Sequence, residues 1–195
     1  MWCAWKGDVA RTRWLLERGA RVDAGTKDGT TALMGACEDG HLEIVRELLG
    51  RGDNVNAART TDGMTSLIFA SQNGYLEAVR ELLGNGANVK AAKTYNGLTS
   101  LMLACIKDHL ETSRLLLQHS ASKTAMSTSG KTAYAFATSA NAALRQLVKP
   151  KPSLLSLPSN VCVLSPSLFL FAIRKHTPKR AACAPCPRPR PRFRP

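Results

Sequence analysis

Apolar residues recur along this chain at helical spacing, in short blocks separated by glycine. Leu33, Ala36 and Cys37 form one block, and Leu42, Val45, Leu48 and Leu49 form the next. Spacings of i, i+3, i+4 and i+7 put such residues on one helical face. Gly40 falls between the blocks and Gly52 after them, where a positive φ is cheap only for glycine. The pattern predicts two short helices joined by a tight turn, with one side buried. The same unit then returns. TALMGACEDGHLEIVRELLGRGDNVNA from Thr31 reappears as TSLIFASQNGYLEAVRELLGNGANVKA from Thr65 and as TSLMLACIKDHLETSRLLLQHSASKTA from Thr99. Gly29, Gly63 and Gly97 are 34 residues apart, as are Leu33, Leu67 and Leu101. A fixed period of this size predicts a stacked solenoid.

Partial copies flank these three. GDVARTRWLLERGARVDA places Gly7, Leu15, Leu16, Gly19 and Val22 each 33 residues before Gly40, Leu48, Leu49, Gly52 and Val55, and Gly130-Lys131-Thr132-Ala133-Tyr134 restarts the pattern downstream. Thr31, Thr65, Thr99 and Thr132 stand where a hydroxyl caps the first helix by accepting from free backbone N–H groups. The unit resembles the ankyrin repeat, whose pattern runs G-x-T-P-L-H-x-A-A, a Gly-His-Leu-Glu turn, a helix ending in Leu-Leu, then Gly-Ala-Asp-Val-Asn. The resemblance covers residues 1 to 148 in five copies, about 1–25, 26–59, 60–93, 94–126 and 127–148. It implies an all-α solenoid of stacked helix-turn-helix units with β-hairpin or turn tips.

Departures from that pattern are informative. Ala32, Ser66, Ser100 and Ala133 replace the family's proline, and Met34, Ile68, Met102 and Ala135 replace its histidine. In the fourth copy Asp108 and Ser120 replace the two glycines and Lys123 the buried valine, which predicts a looser fourth unit and a frayed fifth. Met1 aligns with Met34, so the first helix of the first copy is nearly missing. Trp2, Trp5 and Trp14 cluster there, either folding over the open end or marking the edge of a longer array.

Composition changes at Lys149. All ten prolines and ten of the 27 Lys and Arg lie at or beyond Lys149, and no Asp or Glu lies there. The segment 149–195 reads as a disordered basic tail, since prolines at this density break helices and strands. It carries +10 of the formal +13, so the first 148 residues are nearly balanced. Its apolar stretch Val161–Ile173 is shorter than the ~20 residues a membrane span needs. The chain shows no secretory signal near Met1, which points to the cytoplasm or nucleus.

Catalytic and metal chemistry find no support in the motifs. Cys37 and Cys105 share one repeat position, filled by Ser71 between them, and read as small buried side chains. Cys183-Ala-Pro-Cys186 has the spacing of two zinc ligands, but a structural site needs four. His41-Leu42-Glu43 superficially matches the start of a zinc-deaminase signature, yet Tyr75-Leu76-Glu77 and His109-Leu110-Glu111 repeat it as an inter-helix turn. There is no phosphate-cradling glycine loop or serine elbow. The expectation is a non-catalytic monomer without cofactor or metal.

Function is then expected from surface. In the ankyrin family partners meet the hairpin tips and the inner face of the first helices. Carried over, the tips are Lys27, Asp28 and Thr30, then Thr61, Asp62 and Met64, then Tyr95, Asn96 and Leu98. The inner-helix positions are Glu38 and Asp39, Gln72 and Asn73, Ile106 and Lys107, with Trp5 and Lys6 from the first copy. Met64, Tyr95, Leu98 and Ile106 group apolar and aromatic side chains as an interface hot spot would. The leading expectation is an adaptor that binds another protein. The rival places function in the tail, where Lys179-Arg180 and Arg188, Arg190, Arg192 and Arg194 would hold nucleic acid or an anionic membrane.

Overall fold

Threonine starts the inner helices as its position predicts. Thr31, Thr65 and Thr99 are extended, and their hydroxyls accept from the N–H groups of Met34, Ile68 and Met102 at 3.3, 3.4 and 3.4 Å. Thr132 keeps the extended backbone but makes no such bond, contrary to the sequence expectation, and the helix it opens has only four residues. The computed structural model describes residues 1–138 and 141–150. Among them are ten helices: α1 (Trp2–Trp5), α2 (Val9–Glu17), α3 (Ala32–Asp39), α4 (Leu42–Gly50), α5 (Ser66–Asn73), α6 (Leu76–Gly84), α7 (Ser100–Ile106), α8 (Leu110–Gln118), α9 (Ala133–Phe136) and α10 (Ala142–Val148).

Odd-numbered helices pack in succession as an inner row and even-numbered ones as an outer row, giving an all-α solenoid of stacked pairs. Three isolated antiparallel bridges, Gly25 to Thr31, Ala58 to Thr65 and Ala92 to Thr99, close the hairpin tips. The second and third hairpins are one residue longer than the first. The core repeats with the sequence: Leu33, Leu67 and Leu101 are fully buried, as are Leu48, Leu82 and Leu116. Met34, Ile68 and Met102 are also fully buried, so the family's histidine position is apolar core in the second to fourth copies, while Ala135 in the fifth is exposed. Cys37, Ser71 and Cys105 are buried as expected, and burial pushes the Cys105 thiol up to about 11.

Stacking of the turns follows a rule of its own. Gly40 and Gly74 end α3 and α5 with φ of 78° and 77°, and a Cβ on either would stand 2.6 Å from the ring of Tyr75 or His109 in the next copy. Glycine is therefore required twice, for its backbone angle and for the ring that covers it. His41 covers Gly7 in the same way. The imidazoles of His41 and His109 also bond the carbonyls of Trp5 and Gln72, both at 3.1 Å.

The fourth copy breaks this rule. Asp108 adopts φ 59° in place of the turn glycine, and Ser120 adopts φ 65° in place of the second. The residue that starts the following outer helix is Asn141, which has no ring, and Asp108 instead accepts the Thr138 hydroxyl at 2.9 and 3.0 Å. The valine position proves half-buried in every copy, which corrects the buried site expected there. Lys123 lies across it with its ammonium donating to the Leu147 carbonyl at 2.6 Å, tying the fourth copy to α10.

Candidate functional site

The hairpin tips hold one another by a periodic backbone bond. Thr60, Thr94 and Thr128 donate their N–H groups to the carbonyls of Asp28, Asp62 and Asn96 at 2.9, 2.9 and 3.0 Å. The side chains of those three acceptors brace their own turns. Asp28 accepts the Thr26 and Thr30 hydroxyls, Asp62 accepts the Met64 N–H at 3.1 Å, and Asn96 accepts the Leu98 N–H at 3.1 Å. Asp28, Asp62 and Asn96, expected as partner contacts, thus also build the ledge. Thr26 and Thr30 hold the Asp28 carboxyl below the usual range, and Arg59 does the same to Asp62 through bonds of 2.6 and 2.9 Å.

The other expected contacts divide by exposure. Lys27, Thr61, Asn73, Tyr95, Ile106 and Lys107 are exposed, while Thr30, Gln72 and Leu98 are half-buried. Met64 is only 3% exposed, which removes it from the accessible set. Its carbonyl accepts the Arg59 N–H at 2.8 Å and its own N–H is held by Asp62, so the backbone is fixed with the side chain in the core. Leu98, one copy on, packs at the edge of the same core. Asn73 donates to the Glu38 carbonyl at 2.7 Å, linking α5 to α3.

Two cations and one apolar residue at this surface escaped the sequence reading. Arg59 lies over the Phe69 ring at 5.3 Å while gripping Asp62. Lys93 reaches from the third hairpin to the Gln72 side chain at 3.4 Å, and desolvation pulls its ammonium pKa down. Met126 is 68% exposed at the bridge position held by Gly25, Ala58 and Ala92 in earlier copies, a substitution visible once the copies are aligned. Tyr95, 66% exposed, and Ile106 are the other exposed large apolar residues of the fourth copy. The Trp2, Trp5 and Trp14 rings are exposed rather than folded into a cap.

Among the described residues no group of three or more His, Cys, Asp or Glu is placed to hold a metal, and no helix is long and apolar enough to cross a membrane. Cys183, Cys186, the Val161–Ile173 stretch and the arginines from Arg188 to Arg194 lie outside the described residues. A family model of ankyrin repeats in three copies matches residues 1–93, and one of ankyrin repeats in many copies matches residues 70–117. Ankyrin repeat domain-containing protein 29 of Danio rerio is 50% identical over 60 residues, and its Homo sapiens counterpart 43% identical over 60. Each match covers 30% of this chain and 20% of the relative, so the chain aligns with about a fifth of those proteins. With both family models in one register along the stacked helix pairs, the chain belongs to the ankyrin repeat family.

Proposed function

We propose that the chain is a non-catalytic adaptor that binds another protein across its hairpin tips and inner-helix ends, with the fourth copy as the main contact. Ankyrin repeats are in general protein-interaction modules. One observation carries the reading to particular residues. Tyr95, Ile106 and Met126 are exposed large apolar side chains that do no stacking work, on a ledge whose polar groups are already bonded. Such side chains on a rigid frame lose little entropy on binding and supply the usual anchors of an interface. Lys107, Gln72 and Asn73 would form its polar rim, and Lys27, Asp28, Thr30 and Thr61 would extend it toward the second and third copies. The module acts as a monomer in the cytoplasm or nucleus.

Affinity capture from a cell lysate with the full chain and with Tyr95→Ala/Met126→Ala tests this directly. The expected result is a protein that survives a high-salt wash on the parent chain and is absent from the double variant. The competing reading rests on the +10 charge of residues 149–195. It predicts that the double variant captures the same material, and that this material is nucleic acid or lipid released by salt.

A further inference from the structure

One position in the inner row changes size abruptly. Trp2, Gly35, Phe69 and Leu103 are equivalent by register, and Phe69 and Leu103 are large and buried whereas Gly35 has no side chain. Trp5 lies across the gap, since a Cβ on Gly35 would stand 3.4 Å from the Trp5 Cβ and Cδ1. The result is a recess of about 390 Å³ between the first two copies, lined by Trp2, Trp5, Gly35, Asp28 and Glu38 among others. Trp2 is 63% and Trp5 47% exposed. Monomer surfaces rarely leave neighbouring indoles open to water without a partner.

The electrostatics of this recess select the partner. Asp28 and Glu38 make no ion pair among the described residues, and both act on Arg59, whose guanidinium is already committed to Asp62. Thr26 and Thr30 already occupy the Asp28 oxygens, so the Glu38 carboxylate, with the Asp28 charge near it, is left beside two aromatic faces. Lys6 holds its ammonium 5.5 Å from the centre of the Trp5 ring, so the chain's own nearest mobile cation already rests on that indole. A planar guanidinium satisfies both features at once, stacking on an indole while its N–H groups bond carboxylates. An acidic or purely apolar segment would leave the Glu38 carboxylate unpaired and desolvated.

We infer that the recess takes an arginine side chain presented by another protein, stacked against Trp2 and Trp5 and hydrogen-bonded by Glu38, with Asp28 adding negative charge. This site shares Asp28 and Thr30 with the edge of the proposed adaptor surface but uses neither Tyr95 nor Met126, so failure of one can be told from failure of the other. All three tryptophans of the chain lie in the first 14 residues, so intrinsic fluorescence of the full-length protein reports on this end. The probe is a synthetic decapeptide of alternating arginine and glycine, titrated beside versions with glutamine or glutamate for arginine. The arginine peptide should give a saturable change that the other two do not. Glu38→Lys should weaken it about tenfold or more, because a repelling charge replaces a pairing one. Lys6→Ala should tighten it by removing a competitor, and Tyr95→Ala should leave it unchanged. Gly35→Leu, which fills the gap with the residue found at position 103, should abolish it.

Equal response to the arginine and glutamine peptides, or an affinity indifferent to Glu38→Lys, would overturn the assignment. So would stronger binding of the glutamate peptide. A fluorescence change that tracks protein concentration alone, with a dimer in sedimentation, would assign the tryptophans to a second copy of the chain instead.

Discussion

The second and third copies and the fourth are built from nearly the same residues, yet they put them to different uses. All three share the ledge-building bonds at their tips, but in the second and third the turn glycines are roofed by Tyr75 and His109. In the fourth the glycines become Asp108 and Ser120 with positive φ, α7 is one residue shorter than α5, and the exposed apolar residues Tyr95, Ile106 and Met126 appear. Stacking has weakened where accessible apolar surface has grown. The second copy has a flaw of a different kind: Asp53 stands where Ala87 and Ala121 stand, only 8% exposed, with no well-formed hydrogen bond to either carboxylate oxygen and only the Asn54 N–H near it.

The largest effect should come from imposing the fourth copy's turn on the third. Gly74→Asp must displace the His109 ring and lose its bond to Gln72, and about 2–4 kcal/mol of stability should disappear in a urea melt. A loss below about 1 kcal/mol would show that the ring yields easily and that the roof is incidental.

Next comes Asp53. Burial raises its carboxyl from 3.8 to about 6, against the Asn54 N–H, which favours the charged form, and with repulsion from Asp23 acting in the same direction as burial. The folded state therefore holds this proton more tightly than the unfolded chain does. The resulting stabilisation is complete below about pH 4 and is lost as the pH rises through 6. Asp53→Ala should raise stability by on the order of 2 kcal/mol at pH 7.5, and this gain should shrink toward zero near pH 4. A gain independent of pH would contradict the assignment.

Smaller changes sharpen the contrast further. Ser66 and Ser100, standing where the family carries proline, bury hydroxyls without a partner, and Ser66→Ala should stabilise the fold by about 1 kcal/mol in thermal unfolding. Asp108→Gly should add at most about 1 kcal/mol, because relief of the positive φ is offset by loss of the Thr138 bonds.

The register, the threonine caps and the turn glycines were legible because each depends on its own copy and recurs at 34 residues. What escaped lies between copies. The ring over each turn glycine joins residues about 34 apart and leaves no mark on hydrophobic periodicity, although the series His41, Tyr75, His109 was its trace. Met64 sits beside a tip, where the sequence pattern predicts exposure, and its burial follows from a backbone held by Arg59 and Asp62 with the side chain in the core. Met126 went unnoticed since a single exposed methionine breaks no pattern until it is set against Gly25, Ala58 and Ala92. Lys123 was expected to weaken the fourth copy by entering an apolar site, and its long stem instead delivers the charge to the carbonyl of Leu147.

The division of labour between stacking copies and a binding copy is tested most directly by measuring, on one set of proteins, both thermal stability and affinity for the captured partner. Tyr95→Ala/Met126→Ala should keep the melting temperature within about 2 °C of the parent, since neither side chain is buried, while lowering partner affinity at least about tenfold. Unchanged affinity at unchanged stability would contradict the assignment of binding to the fourth copy.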